Sequence, residues 1–121
     1  MTITAAYPGI AMPGLALPGS TVVSLEAVPV TNILVKPNGS PDVGLTVYAQ
    51  LVSSNPWLPD GREIVNWATA VTDSTGLWIL NLYPTGGLAA GSYYRIREGA
   101  STWTIQVPDG GGNLHDLLYT P

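Results

Sequence analysis

Cysteine is absent from this chain of 121 residues, and histidine occurs once, as His115. Without cysteine the chain can form neither a disulfide framework nor a thiolate metal site, and one histidine cannot provide a histidine cluster for a metal ion. Basic residues are also few, because four lysines and arginines stand against eight aspartates and glutamates and give a formal net charge of −4. Such a chain would repel phosphates, so we expect no nucleic-acid partner.

Catalytic motifs are equally scarce. His115 and Asp116 would make a Ser-His-Asp arrangement with a serine, but they follow the glycine run 110–112, where rigid positioning is hard to supply. The simpler interpretation is a solvated pair at the end of a helical turn. The glycine run lacks the lysine and helix of a phosphate-binding loop, and a calcium site at Asp73 or Asp109 would have only isolated carboxylates. We therefore predict no catalytic, cofactor-binding or metal-binding residues, and a protein that is not an enzyme.

The abundant residues are those of β-sheets. Valine, threonine, isoleucine, tyrosine and tryptophan are frequent, glutamate and lysine are rare, and 14 glycines and 11 prolines separate short apolar runs. Residues 22–121 have the size of one small domain, whose stability must come from packing or from assembly into oligomers, since disulfides and metal are excluded. This composition predicts an all-β fold with no long helix.

Alternation with period two predicts seven strands, most clearly in residues 45–51, where the odd positions are apolar. The turn sequences 73–76 and 98–101 each predict a hairpin, and Pro29 marks an edge strand or a bend between two strands. The tryptophans within strands, at positions 67, 78 and 103, are interpreted as core residues. The strands are expected over residues 22–28, 30–36, 45–51, 65–71, 77–82, 93–97 and 103–107, a spacing that suggests a seven-stranded β-sandwich.

The sequence changes character after Val107. Residues 108–112 predict a flexible break, and Asn113 can cap a short helical turn that carries Leu114, Leu117 and Leu118. This C-terminal piece either covers the open end of its own core or contacts a neighbouring molecule.

The first 21 residues predict an extended arm. No charged residue precedes Glu26, and three Pro-Gly pairs stand five residues apart, each favouring a type II turn. The prolines argue against a membrane span, and the lack of a basic region and of an unbroken apolar run argues against a signal peptide. Two alternatives remain, an arm that docks on a partner chain and a loose or self-covering tail. The residues predicted to anchor the arm are Tyr7, Pro8, Gly9, Ile10, Met12, Pro13, Gly14, Leu15, Leu17, Pro18 and Gly19.

A further contact surface is predicted in the loop that holds Trp57 and Leu58 between two prolines. Its apolar tip either folds over the end of the sandwich or meets a partner. Asn55 and Asp60 would supply hydrogen bonds if Trp57 stacked on a sugar ring, so a glycan is an alternative ligand.

The local pair of basic residues, Arg95 and Arg97, lies on one face of a predicted strand. We interpret it as two exposed residues that face Glu63 or Glu98. The alternative is a salt-bridge contact to an acidic neighbouring subunit.

Three segments resemble the transthyretin-like, carboxypeptidase-regulatory type of β-sandwich, which has an immunoglobulin-like architecture. They are residues 38–41 before a strand, residues 70–80 with an aspartate turn followed by glycine and tryptophan, and Gly91-Ser92-Tyr93 at the start of a later strand. The likeness covers about residues 33–107 and implies a fold rather than a function. Hydrolases of that type depend on several histidines and a terminal Tyr-Arg-Gly-Ser motif, whereas this chain ends Leu-Leu-Tyr-Thr-Pro.

The small size, the charge-free head, the run 103–108 and the terminal Leu-Leu-Tyr stretch are also similar to structural proteins of tailed bacteriophages. This resemblance implies a non-enzymatic virion structural protein assembled in the host cytoplasm, most readily a capsid decoration protein. Its partners would be major capsid or tail subunits, which it would bind in many copies or as a homo-oligomer. The alternatives are a tail-associated protein, a carbohydrate- or receptor-binding module that uses the Trp57 loop, and a hydrolase that uses His115.

Overall fold

Seven strands form two sheets that pack face to face. The structure is a computed structural model that describes residues 25–65 and 67–121. The strands are β1 (Val28–Ile33), β2 (Thr46–Val52), β3 (Trp67–Val71), β4 (Leu77–Leu82), β5 (Tyr93–Glu98), β6 (Ser101–Ile105) and β7 (Gly112–Asn113). One sheet has the strand order β4-β1-β7 and the other has the order β3-β2-β5-β6. The predicted all-β sandwich is confirmed.

The core lies between the two sheets, and the alternation of residues 45–51 correctly predicts its β2 side. Side chains buried from both sheets form one apolar cluster, which excludes water from the strand ladders. Tyr94 belongs to it, and burial raises the pKa of its phenol, although its hydroxyl accepts a hydrogen bond from the Tyr83 N–H at 3.1 Å. The largest of the fully buried apolar side chains are Val30, Val47, Trp78, Leu82, Ile96, Ile105, Val107 and Leu114.

Strand β1 is the middle strand of its sheet, so the edge position predicted from Pro29 is wrong. It pairs antiparallel with β4 over its whole length and parallel with β7 at Val30 and Thr31. Proline is tolerated because the β7 pairing begins at Val30, which leaves Pro29 with a ladder partner on one side. Gly111 packs on this proline with φ +71°, and a Cβ there would overlap the Pro29 carbonyl oxygen. Residues 108–112, predicted as a flexible break, instead form a turn closed by the Gly111 N–H on the Pro108 carbonyl at 3.0 Å, followed by the start of β7.

The turn at residues 73–76 does not make the predicted hairpin. Strand β3 pairs with β2, whereas β4 pairs with β1, so this turn carries the chain from one sheet to the other. The Asp73 carboxylate accepts hydrogen bonds from the Thr75 hydroxyl and N–H and from the Leu77 N–H, and these bonds hold the pKa of Asp73 below its ordinary value of 3.8. Buried Thr72 donates to the Asp42 carbonyl at 2.6 Å and fixes the turn to the loop before β2.

The second predicted hairpin forms as expected. Strands β5 and β6 pair antiparallel, and Glu98 lies opposite Ser101 across the two-residue turn of Gly99 and Ala100. Gly99 has φ +57°, the left-handed conformation that glycine adopts without strain in such a short turn.

The C-terminal segment folds back on its own domain, which was one of the two alternatives. The side chain of Asn113 caps a 3-10 turn at Leu114–Asp116, as predicted. Leu114 is fully buried, and the Tyr119 N–H donates to the Thr104 carbonyl at 2.9 Å. The segment therefore covers part of the free edge of β6.

The predicted anchoring arm of residues 1–21 lies outside the described residues. The first described residue, Leu25, packs against Gly87 in the 3-10 turn Thr85–Gly87. The loop after β2 lies at the same end of the sandwich, because the Ser53 and Ser92 hydroxyls are 2.7 Å apart. We call this the entry end, and we call the opposite end, which holds the turns at 73–76 and 99–100, the distal end. None of the helical turns in the described part of the chain is long and apolar enough to cross a bilayer.

Candidate functional site

Two rows of side chains cross all four strands on the outer face of the four-stranded sheet. The row nearer the entry end consists of Trp67, Gln50, Arg95 and Thr104, and the next row consists of Thr69, Tyr48, Arg97 and Thr102. Trp67 and Tyr48 are therefore diagonal neighbours on adjacent strands, a relation that separates Cα atoms by roughly 7–8 Å and leaves aromatic rings within reach of each other.

Trp67 is 55% exposed on this face, so the prediction that it fills the core is wrong. The register of β3 against β2 places Ala68 opposite buried Ala49, so the alanines of β3 face inward and the larger side chains face outward. Both faces of β3 are apolar in sequence, and a period-two pattern cannot tell which one is buried. Trp78 is buried as predicted, and Trp103 is half-buried.

Two adjoining depressions form a groove on the outer face. Their volumes are about 600 Å³ and about 380 Å³, and both are lined by Trp67, Arg97 and Gly99. The tryptophan ring thus borders both depressions. We call this surface the Trp67 groove, and its principal side chains are Trp67, Tyr48, Gln50, Arg95 and Arg97.

The Trp67 groove is basic, although the protein as a whole carries a negative net charge. It holds two of the four basic side chains of the whole chain, and none of its lining residues is acidic. Arg95 Nη1 donates to Gln50 Oε1 at 3.1 Å, which orients the guanidinium across the face. Neither arginine forms an ion pair with a described residue. The predicted exposure of Arg95 and Arg97 is confirmed, but Glu98 does not face them, since adjacent residues of β5 point to opposite sides of the sheet.

Glu98 is instead the centre of a buried hydrogen-bond cluster that joins the two sheets. It is 7% exposed, and its Oε2 accepts hydrogen bonds from Asn32 Nδ2 of β1 at 2.9 Å and from Trp78 Nε1 of β4 at 2.6 Å. Its Oε1 accepts a third hydrogen bond from Trp103 Nε1 of β6 at 2.8 Å. We call these four residues the Glu98 cluster. It satisfies two indole N–H groups that the core would otherwise leave unpaired.

A cleft of about 430 Å³ opens beside the Glu98 cluster, and His115 lies at its rim. The imidazole packs edge-on against the Trp103 ring, with 5.9 Å between the centroids. Among the described residues, no hydrogen bond joins this imidazole to a serine or to a carboxylate. The Ser-His-Asp arrangement considered from the sequence is therefore not assembled around His115.

The two predicted contact residues of the Trp57 loop differ in burial. Leu58 is 4% exposed and packs into the core, whereas Trp57 is 53% exposed. The polar groups expected to flank a sugar are engaged within the loop, because Asn55 Oδ1 accepts from the Trp57 N–H at 3.3 Å and Asp60 pairs with Arg62 at 2.7 Å. Of the two residues at the tip of the loop, only Leu58 therefore folds over the end of the sandwich, and Trp57 stays exposed.

Residues 25–65 and 67–121 contain no group of three histidine, aspartate or glutamate side chains that could hold a metal ion. Asp73, considered from the sequence for a calcium site and set aside, uses its carboxylate to cap its own turn.

No protein-family model matches the sequence, and no curated protein matches it either. The functional assignment therefore rests on the surfaces of this molecule.

Proposed function

We propose that this protein is a non-enzymatic virion structural protein, a capsid decoration protein that docks through residues 1–21 and displays its β-sandwich. The observation that carries the proposal is the charge-free head, with its three Pro-Gly pairs, next to a domain that closes its own core. Apolar side chains that such a core does not need gain most by burial on another molecule. A tail-associated protein would use the same device, and the particle surface that holds the head distinguishes the two.

The described core supports a separation between a docking head and a displayed domain. Its buried side chains come from positions between Val30 and Leu114, and Leu117 of the C-terminal segment packs against them. Among the described residues, side chains from positions 25–121 pack together on the inner faces of both sheets. We assign the apolar side chains of the arm to a partner surface.

The way in which the chain enters the domain also supports the proposal. Leu25 is held against Gly87 at the entry end, where the Trp57 loop also lies. A head that leaves from this end would hold the entry end toward the particle and the distal end away from it. Exposed Trp57 would then add a second contact to the same surface.

Deletion of residues 1–20 tests the proposal directly. Full-length and truncated proteins are added to capsids stripped of this protein and, separately, to isolated tails, and the bound copies are counted. We expect the truncated protein to lose at least nine-tenths of its occupancy, while its thermal unfolding stays unchanged because the core is retained. Equal binding of both proteins would show that the sandwich makes the interface and would contradict the anchoring role of the head.

The turns within the head can be tested separately by the triple change Gly9→Ala, Gly14→Ala and Gly19→Ala. Alanine resists the positive φ of a type II turn by roughly 1 kcal/mol per position, so docking should weaken by about 3 kcal/mol, which is on the order of a hundredfold in Kd. The matched control is the double change Gly86→Ala and Gly110→Ala, because a Cβ at either position meets open space. Normal occupancy of the triple variant would remove the turn model while leaving the arm model to the deletion experiment.

A further inference from the structure

We propose that the Trp67 groove binds an anionic glycan, a chain of sugar rings that carry carboxylates. This surface differs from the Trp57 loop, where the sequence had suggested a sugar platform, and the inference does not depend on docking of the head. The combination that points to it is two exposed aromatic rings, two arginines that form no ion pair with any described residue, and a border of hydroxyl and amide groups.

The aromatic rings provide the stacking surface. Trp67 and Tyr48 are 55% and 41% exposed and lie diagonally on adjacent strands. One face of a sugar ring presents C–H groups. Transfer of such a face from water onto an aromatic ring costs little free energy. Two rings on one flat sheet suit consecutive sugars of a chain better than a single compact ligand.

The two arginines favour a ligand that carries negative charge. Arg97 lies directly across from Tyr48, and Arg95 lies directly across from Gln50, so both guanidinium groups border the aromatic pair. A guanidinium binds a carboxylate through two parallel N–H donors, and this geometry discriminates a free acid from its ester. No acidic residue lines the groove to compete for these donors.

Polar side chains at the border can hold the sugar hydroxyls. Thr69 and Thr102 end the row that contains Tyr48 and Arg97. Thr69 lines one depression and Thr102 lines the other, and each threonine hydroxyl can donate and accept hydrogen bonds.

Two other occupants fit the groove less well. A second copy of this chain packed face to face about a two-fold axis would bring each arginine pair toward its counterpart, which like-charge repulsion disfavours. A nucleic acid needs many phosphate contacts for affinity, whereas this face offers two cations on a chain with a net charge of −4.

The test uses three uronate polymers as probes, namely polygalacturonate, alginate and hyaluronate, together with the methyl ester of each. Binding to the full-length protein is measured by affinity electrophoresis and by tryptophan fluorescence, with sedimentation to detect self-association. The variants are Trp67→Ala and the double change Arg95→Ala with Arg97→Ala. Their matched controls are Trp57→Ala, which removes an equally exposed tryptophan, and Arg62→Ala, which removes an arginine outside the groove.

We expect at least one free acid to bind, and its methyl ester to bind at least tenfold more weakly. Trp67→Ala should lower the affinity for the acid at least tenfold, and the double arginine variant should abolish the preference for the acid over the ester. Both controls should bind like the unmodified protein. The double arginine variant keeps the test decisive if Trp67→Ala does not fold.

Three results would overturn the proposal. One is the absence of binding to all three acids, and another is equal binding of acid and ester. The third is a loss of glycan binding in Trp57→Ala while Trp67→Ala and the double arginine variant bind like the unmodified protein. Self-association that Trp67→Ala removes, without glycan binding, would assign the groove to a second copy of the chain instead.

Discussion

The two faces of the four-stranded sheet use the same kinds of residue in opposite ways. On the inner face, the carboxyl group of Glu98 accepts hydrogen bonds from the indole N–H of Trp103 in the same sheet and from that of Trp78 in the facing sheet. On the outer face, Trp67 is exposed beside two arginines that have no acidic partner among the described residues. Inside, the indole N–H groups are paired with a carboxyl group and tie the two sheets together. Outside, an aromatic ring and two positive charges remain exposed to solvent.

Strand β5 shows how one segment serves both faces. Its burial alternates, so Ile96 and Glu98 point into the core while Arg95 and Arg97 point to solvent. A change at one position should therefore affect stability and a change at the next should affect binding. Substitutions on this strand and in its surroundings can break or sharpen the contrast.

The largest effect is expected from Glu98→Ala. Removal of the carboxyl group leaves the buried N–H donors of Asn32 and Trp78, and the half-buried donor of Trp103, without an acceptor, at about 1–3 kcal/mol each. The free energy of unfolding, measured by urea denaturation, should fall by roughly 3–5 kcal/mol.

Glu98→Gln is the matched control for that change. It keeps the shape but replaces one acceptor oxygen by a donor, so we expect an intermediate loss of about 1–2 kcal/mol. If Glu98→Ala cost less than Glu98→Gln, the hydrogen bonds to the carboxyl group would not be what holds this part of the core.

The next largest effect on the free energy of unfolding is expected from one of two neighbouring residues on β5, Ile96 and Arg97. Ile96→Ala removes a completely buried side chain and should cost roughly 2–5 kcal/mol, because the cavity it leaves cannot fully collapse. Arg97→Ala, one residue later and exposed, should change the free energy of unfolding by no more than about 0.5 kcal/mol. Equal losses in the two variants would mean that the groove is part of the folding unit rather than a free surface.

The smallest effect is expected at Asp73, the exposed counterpart of Glu98. Hydrogen bonds from the Thr75 hydroxyl and backbone lower its pKa in the folded protein. Its contribution to stability is thus present above the ordinary pKa of 3.8 and is lost as the pH falls through the lowered folded value. Urea denaturation of the unmodified protein and of Asp73→Asn between pH 2.5 and 6 should show a small difference that disappears at the acid end. A difference that grows toward low pH would contradict this assignment.

Local chemistry was enough to predict much of the fold. The alternation of residues 45–51 predicted the inner face of β2, and the turn sequence 98–101 predicted the hairpin of β5 and β6. Asn113 predicted the cap of the last 3-10 turn. Each of these features depends on a few neighbouring residues, which is why a sequence pattern can predict it.

Long-range pairing was not predictable in the same way. The aspartate turn at 73–76 was recognised, but nothing local shows that its two strands belong to different sheets. That choice decides which face of β3 is buried, and with it the position of Trp67. The Glu98 cluster is harder still, because its donors come from three strands that are far apart in sequence. The groove could be recognised only after β2, β3 and β5 had been placed side by side.

The parallel pair between β1 and β7 also has a consequence for how the protein is made. Val30 leaves the ribosome long before its partner Gly112, and the close fit of Gly111 on Pro29 belongs to the same contact. Contacts between residues so distant in sequence form late and slow folding. The β4-β1-β7 sheet can therefore be completed only after Gly112 and Asn113 have been translated, so β1 waits for its parallel partner while most of the sandwich is made.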